Sequence, residues 1–301
     1  MTPTDAPKLP PLARASFDRA ADERIEPGSV ERLRALPDTR VLVVRGDTAP
    51  LSEDGGIALC APAEVGSDPA WAFLGRTTDG TAVLVAAVEA EADAPVAAST
   101  WGSLRVVGGD LPAEQAALFV GALALGRWLL DAAYCPRCGG TTTLRSGGWA
   151  RSCTVCGREH FPRTDPAVIV AVTDEPGERL LLGKNAMWAE RNMYSTFAGF
   201  VEAGESLESA ILREIEEEAG VHLTGLRYRG SQAWPYPRSL MLGFHAVAAD
   251  PERARADGEE IVDVRWFTRD DLVAAFAGDG DVRLPGRASI AHRLIRDWVE
   301  A

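Results

Sequence analysis

Three apolar runs dominate the first third of the chain. "RVLVV" (residues 40–44), "AWAFLG" (70–75) and "AVLVAAV" (82–88) are short, largely apolar and uncharged beyond their first residue, which predicts buried strands. "TTDGT" at 77–81 places an Asp-Gly turn between the last two and makes them a hairpin. From 112 to 131, "PAEQAALFVGALALGRWLLD" has helical spacing with Pro near its start, and closes a first, mostly β unit. Further on, "AVIVAVTD" (167–174) and "RLLLGKN" (179–185) read as a hairpin across "EPGE", and "STFAGFVE" (195–202) as a strand leading into a helix over 206–220. Later strands are expected at "LRYRGSQAW", "SLMLGFHAVAA" and "VDVRWF", and a last helix over about 289–299. Residues 1 to about 40, rich in Pro, Ala, Arg and Asp, read as a loosely ordered start with a short helix around 30–36. No repeat of fixed period is present, but the two successive mixed α/β units have the form of distant duplicates.

The helix over 206–220 breaks the ordinary pattern. Glu214, Glu216, Glu217 and Glu218 crowd beside a single arginine, Arg213. Like charges three or four positions apart each cost a helix roughly 0.2–0.5 kcal/mol. Projected at about 100° per residue, Glu214, Glu217 and Glu218 converge on the side of Leu207, Ala210 and Ile211, so the cluster is expected to face the body of the protein, with Leu212, Arg213 and Glu216 turned elsewhere. Half-buried carboxylates are costly unless protonated or bound to cations. Hard divalent ions with oxygen ligands, Mg²⁺ or Mn²⁺, are the natural counter-charge.

Cysteine spacing adds a second chemistry. Cys135, Cys138, Cys153 and Cys156 form two C-x2-C pairs separated by fourteen residues, the four-thiolate zinc pattern. A closed four-sulfur site leaves no open position for water, so the zinc is expected to be structural. Gly139 and Gly157 suit the tight turns that aim backbone N–H groups at the thiolates. Cys60 stands alone and reads as core.

Composition narrows the rest. A chain of 301 residues suggests two domains, and a hydrophobic share of 46% is globular. A formal net charge of −13 argues against a general binder of phosphate backbones. No run reaches the roughly 18 apolar residues of a membrane span, so no membrane partner is expected. The start, "MTPTDAPKLPPLARASFDRA", lacks the basic-then-apolar order of a secretory signal, and thiol pairs suited to metal rather than disulfide favour the cytoplasm.

Gly199, Glu205 and the run from Arg213 to Val221, "REIEEEAGV", match every fixed position of the Nudix box, G-x5-E-x7-R-E-U-x-E-E-x-G-U with U a bulky aliphatic residue. The sequence therefore resembles the Nudix hydrolases, which implies cleavage of a nucleoside diphosphate linked to another moiety. The resemblance makes Glu214, Glu217 and Glu218 the metal-facing carboxylates and Arg213 an orienting residue, with Glu205 and Glu217 as its partners. "SQAWPYPRS" (231–239) resembles the S-Q-P-W-P-F-P-x-S array of the NADH pyrophosphatase subgroup, which also removes NAD caps from RNA 5′ ends; Ala233 and Tyr236 depart from it. That subgroup's order implies an α/β (α+β) fold: an N-terminal Nudix-like domain over 1–131, a zinc ribbon over 132–160 and a catalytic Nudix domain over 161–301, its mixed sheet lying between helices. Trp128 and "HFPRTDPAVIV" after the last cysteine fit the subgroup, while Leu129 stands where a histidine is common.

The same resemblance implies that Phe161 and Phe200 sandwich the nicotinamide ring and that Gln232, Trp234 and Ser239 contact substrate. It implies a further metal ligand near "GEEIVDVRWF", Glu260 with Glu259 as its rival, and a homodimer. His160, His222, His245 and His292 show no mutual metal spacing. The expected activity is metal-dependent hydrolysis of NADH or NAD⁺ to nicotinamide mononucleotide and AMP. The alternatives are removal of NAD caps from RNA, action on another dinucleotide such as ADP-ribose, and a Nudix-derived sensor that binds NAD metabolites without cutting them. Such sensors usually lose box glutamates or gain a helix-turn-helix, and neither feature is present.

Overall fold

The structure, a computed structural model, describes residues 9–66 and 68–301. It divides into two compact units: Leu12–Thr164 with Pro235–Arg238, and Asp165–Trp234 with Ser239–Ala301 and the stretch ending at Pro11.

In the first unit, α1 (Ala21–Arg24) and α2 (Ser29–Arg34) precede β1 (Arg40–Arg45), β2 (Thr48–Pro50), β3 (Ala70–Arg76), β4 (Ala82–Val88) and β5 (Trp101–Ser103). These strands form one sheet in the order β3-β4-β1-β2-β5. β1 and β4 run parallel at its centre, Arg40 opposite Val83 through to Arg45 opposite Val88, and the other pairings are antiparallel. A central parallel pair is covered on both faces, which is why 41–44 is an unbroken apolar run with no polar alternation. Leu33 of α2 joins Val41, Val43, Phe73 and Leu84 on one face. After the short α3 (Leu104–Val107), α4 (Ala113–Asp131) packs on the sheet so closely that a Cβ on Gly126 would stand 2.9 Å from Val44 and 3.0 Å from Ala87. By length and composition alone α4 could cross a membrane, but Leu118, Phe119, Leu123, Leu125 and Leu129 are among its buried residues.

The cysteine segment belongs to the same unit. β6 (Thr142–Arg145), β7 (Ala150–Cys153) and β8 (Glu159–His160) form a small antiparallel sheet. Trp149 Nε1 donates to the Phe73 carbonyl of β3 at 2.7 Å. The buried Arg151 donates to the Leu129 carbonyl at 2.6 Å and to Thr142 Oγ1 at 3.0 Å, so the end of α4 and the ribbon share one hydrogen-bonded joint.

The second unit holds β9 (Asp165–Thr173), β10 (Arg179–Asn185), β11 (Phe197–Phe200), β12 (Leu223–Trp234), β13 (Ser239–Ala248) and β14 (Ile261–Thr268), with α5 (Leu207–Ala219), α6 (Arg269–Ala277) and α7 (Ile290–Val299). The sheet order is β12-β13-β9-β10-β14, with β11 on β9. β9 and β13 are parallel and the remaining pairings antiparallel. Val168, Val170 and Val172 of β9 pack with Ile211 and Ile215 of α5, while Ile169 and Ala171 pack with Leu294 and Ile295 of α7. The mixed sheet is thus buried between helices, as expected.

The acidic helix is bounded as its sequence predicts. Ser206 Oγ accepts from the Ser209 N–H at 3.1 Å, and Gly220 ends it at φ 69°. Several elements went unread. α1, α3, β2 and β5 are only three or four residues long, and α6 has just Leu272 and Ala275 buried, too little apolar periodicity to announce a helix. Its signal was the capping box, Thr268 with Asp271 three positions later. The expected loosely ordered start falls partly on residues 1–8, outside the described residues; within the rest of it lie α1 and α2, the second overlapping the short helix expected around 30–36.

Candidate active site

The site is built on the first turns into α5. Gly199 of β11 lies directly against Glu214: a Cβ at this position would stand 1.8 Å from the Glu214 carboxyl carbon. Only glycine lets that carboxylate lie on the strand backbone. Arg213 makes a two-pronged contact with Glu205, Nε to Oε1 at 2.8 Å and Nη2 to Oε2 at 2.9 Å, and donates to the Phe200 carbonyl at 3.1 Å. Its Nη1 reaches Glu214 at 3.0 Å and Glu217 at 3.1 Å. One guanidinium therefore fixes three glutamates and the end of β11. The pairing with Arg213 and the Glu202 N–H hold the Glu205 carboxyl down at about 2, and Glu205 first, then Glu214 and Glu217, push Arg213 above its ordinary value.

The glutamates are not equivalent. Glu218 is 6% exposed, and its Oε2 has no hydrogen-bond partner. Burial, then the charges of Glu260, Glu214 and Asp257, push its carboxyl up to about 8. Glu214 is also raised, first by burial and then by Glu217 and Glu260 against the pull of Arg213. Glu260, not Glu259, is thus the charge that bears on both. Glu217 corrects the helical projection: its side chain is 61% exposed and stands at the solvent edge rather than facing the body. The buried face of α5 is centred on Ile211, Ile215 and Glu218, and Glu217 lies about 100° around the helix from Glu218. Leu212 and Glu216 face outward as expected.

Four oxygen-bearing side chains that repel one another, one buried with an unpartnered oxygen, suit a hard divalent cation. They do not converge as a closed cage. Among the described residues, the only group of three or more metal-type side chains with all donor atoms within 4.8 Å is the cysteine quartet.

That quartet has the geometry of a zinc knuckle pair. Cys135 and Cys156 Sγ are 3.8 Å apart, and Cys138 and Cys153 Sγ 3.5 Å. A tetrahedral ion with Zn–S of about 2.3 Å spaces its sulfurs about 3.8 Å apart. The backbone N–H groups of Cys156 and Val155 both point at Cys153 Sγ at 3.4 Å, and draw its thiol down to about 6. Gly139 and Gly157 take φ 72° and 71°, the left-handed turns that this requires. Cys60 lies in the β1 region, hydrogen-bonded across to Val41, with its thiol pushed up to about 11 by burial. It reads as core.

The residues expected to touch substrate are scattered in character. Phe200 is 54% exposed beside the Arg213 network, and Phe161, in the other compact unit, is 60% exposed. Trp234 pairs with Ser239 across the β12–β13 hairpin. Gln232 is 1% exposed and donates its carboxamide N–H to the Ala288 carbonyl at 3.0 Å, so its side chain is spent on the fold. Ser239 is buried as well. A residue that sequence reasoning missed is Asn185, whose Nδ2 donates to Glu260 Oε1 at 3.2 Å. Nothing in its sequence surroundings marks it, because the contact spans two strands.

Comparison with known proteins bears on the same regions. Residues 163–284 match the NUDIX domain, and residues 131–161 match the NADH pyrophosphatase zinc ribbon domain. The chain is 38% identical, over 96% of its length and 95% of the relative's, to the NAD-capped RNA hydrolase NudC of Mycobacterium tuberculosis (strain ATCC 25618 / H37Rv). It is 40% identical to the protein of the same description from Stutzerimonas stutzeri (strain A1501), over 72% of this chain and 73% of that one. A solved NUDIX hydrolase from Nitrosomonas europaea aligns over 56% of this chain and 90% of its own, at 25% identity and a TM-score of 0.42. With a complete box on α5 and a four-cysteine zinc site of the matching ribbon type, the chain belongs to the Nudix hydrolase family, in the branch that carries the NADH pyrophosphatase zinc ribbon.

Proposed function

We propose that this protein hydrolyses the diphosphate bond of NAD(H), giving nicotinamide mononucleotide and AMP, at the acidic face of α5. The observation that carries the reading is Glu218, a buried carboxylate with an unpartnered oxygen set among the charges of Glu214 and Glu260. In this reading Glu214, Glu217, Glu218 and Glu260 hold Mg²⁺ or Mn²⁺, which when bound neutralises the diphosphate and activates a water for attack on phosphorus. Arg213 does not leave Glu205; it keeps Glu214 and Glu217 aimed at one place. The exposed ring of Phe200 and the side chain of Trp234 supply flat faces for a heterocycle. Gln232 and Ser239 support that surface from within the hairpin. The N-terminal sheet is a Nudix-like domain without a working box, the active form is a homodimer, and the compartment is the cytoplasm, in keeping with thiols paired for metal.

A second reading is favoured by the relatives' names: the physiological substrate is the NAD cap of an RNA 5′ end, cut by the same chemistry. The test incubates zinc-loaded protein with NADH, NAD⁺, ADP-ribose or an NAD-capped oligonucleotide at matched concentration, with Mg²⁺ or Mn²⁺, and identifies products by chromatography and mass spectrometry. AMP and reduced nicotinamide mononucleotide from NADH are expected. Faster release of nicotinamide mononucleotide from the oligonucleotide would make the cap the preferred substrate. NADH that binds and stays whole would overturn hydrolysis in favour of a sensor.

A further inference from the structure

Glu260 is exposed and sits just before β14, where an unsupported glutamate would sample many rotamers and lend little to a cation site. It is held from two directions. Asp257 Oδ1 accepts from three consecutive backbone N–H groups, those of Glu259 at 2.5 Å, Glu260 at 2.9 Å and Ile261 at 3.2 Å. The Gly258 N–H donates to the Ile261 carbonyl at 3.0 Å, closing the same turn. From the neighbouring strand, the Ala186 N–H donates to the Glu260 carbonyl at 2.8 Å and Asn185 Nδ2 to its carboxylate Oε1 at 3.2 Å. Asn185 Oδ1 accepts from the Met187 N–H at 2.9 Å, so the oxygen end is spent and the amide can only present N–H to Glu260. The β10–β14 register shifts between Lys184 and Asn185, and the shift aligns Asn185 with Ile261, next to its target.

We infer that Asp257 and Asn185 are positioning residues for Glu260, Asp257 by fixing the backbone that carries it and Asn185 by fixing its carboxylate. The inference rests on the reading of the acidic face as a divalent-cation site. By residue type Asp257 resembles one more ligand. Its Oδ1, however, is taken up by three amide hydrogens, and it acts through Glu260. Partners of this kind around a metal ligand typically set affinity about 10–100-fold.

The test uses the zinc-loaded full chain and Mn²⁺ alone as the probe, with free Mn²⁺ followed by electron paramagnetic resonance and NADH turnover measured beside it. Asp257→Ala and Asn185→Ala are expected to weaken Mn²⁺ binding about tenfold or more. Turnover at limiting Mn²⁺ falls with it, and the KM for NADH at saturating Mn²⁺ stays near the wild-type value. Asp257→Asn keeps an oxygen acceptor at the same place and is expected to restore binding. Asp257→Asn as weak as Asp257→Ala, or Asn185→Ala binding Mn²⁺ as tightly as wild type, would overturn the inference. Should Asp257→Ala fail to fold, those two variants decide. A wild-type chain that binds no Mn²⁺ would remove the reading of the site itself, and this inference with it.

Discussion

The two larger sheets of this molecule have the same strand order. β3-β4-β1-β2-β5 and β12-β13-β9-β10-β14 each place the first strand parallel to the fourth, with the third antiparallel on the outside, the second antiparallel on the other side and the fifth at the edge. Each is followed by a long helix, α4 or α7, that packs on the sheet. The difference lies between the second and third strands. Among the described residues of 51–69 in the first unit, the helical content is one short turn, Pro62–Glu64; in the second unit, residues 186–222 contain β11 and α5. The sheet is therefore a support that either version can supply, and the chemistry enters with one insertion. Burial of charge follows the same line. The buried residues of β1, β4 and α4 are apolar, whereas α5 turns a carboxylate inward at Glu218.

The largest break in that comparison is expected from the box. Glu217→Gln should lower NADH turnover by about two orders of magnitude or more, the scale of losing one preorganised charge at a reacting centre. Gly199→Ala should do the same by another route. The new methyl would occupy the space of the Glu214 carboxylate, the movable end of a side chain, so the fold survives while Glu214 leaves its place. Glu64→Gln, in the corresponding turn of the first sheet, should leave turnover unchanged. Equal losses in all three variants, read by steady-state kinetics with thermal melts as control, would mean that the insertion is not what separates the two units.

Next in size is the zinc. Cys153→Ser removes a ligand from a ribbon that is tied by Trp149 to β3 and by Arg151 to the end of α4. Structural zinc sites commonly contribute many kcal/mol to the fold around them. Melting of the first unit is therefore expected to fall by on the order of 10 °C, read by calorimetry and by zinc content after dialysis. A variant that loses zinc and melts unchanged would show the ribbon to be independent of the sheet it is bonded to.

Both effects sit on features that the sequence states openly, and the reason is physical. Thiolate spacing and the box are local: ligand residues recur within one turn of chain or one helix face, so their identity and order carry the message. The paired strands around the Asp-Gly turn of 77–81 are local in the same sense. What went unread depends on partners far apart in sequence. Asn185 meets Glu260 only because β10 and β14 pair; Gln232 is turned inward only because Ala288 offers its carbonyl there. Glu217 failed for a subtler reason. Three and four positions apart guarantees neighbours on a helix but not a shared burial, and the face of α5 is narrow enough to leave one of the three glutamates outside.

A third effect separates the units by pH. Burial first, and then Glu260, Glu214 and Asp257, raise Glu218 from an ordinary 4.5 to about 8 without cations. A folded-state value above the unfolded one means that the native state holds the proton more tightly. The stabilisation is fully present below about 4.5 and is lost as pH climbs through about 8. In Mg²⁺-free buffer, zinc-loaded protein should lose stability in its second unit over that window, with a slope of up to about 1.4 kcal/mol per pH unit. Saturating Mg²⁺ should flatten the slope, because it favours the ionised carboxylates, and Glu218→Gln should abolish it. Among its described residues the first unit has no buried carboxylate like Glu218. Melts in which it shows the same slope would place the pH response outside the acidic face.

The smallest effect is expected at Gly126, where the first sheet meets its long helix. Alanine in a helix interior gains about 1 kcal/mol over glycine. Here the added methyl would stand 2.9 Å from Val44 and 3.0 Å from Ala87, both on central strands with no free end to swing away. Overpacking of a well-filled core costs typically about 1–3 kcal/mol, so the clash outweighs the propensity and Gly126→Ala should destabilise by about 1 kcal/mol. In a unit of this size that is a fall of about 2–4 °C, with kcat and KM for NADH unchanged. The same substitution at Gly199 leaves melting nearly unaltered and removes turnover. A Gly126→Ala protein that melts higher than wild type would show that β1 and β4 yield to α4, and that the apolar joint of the first unit is looser than its distances imply.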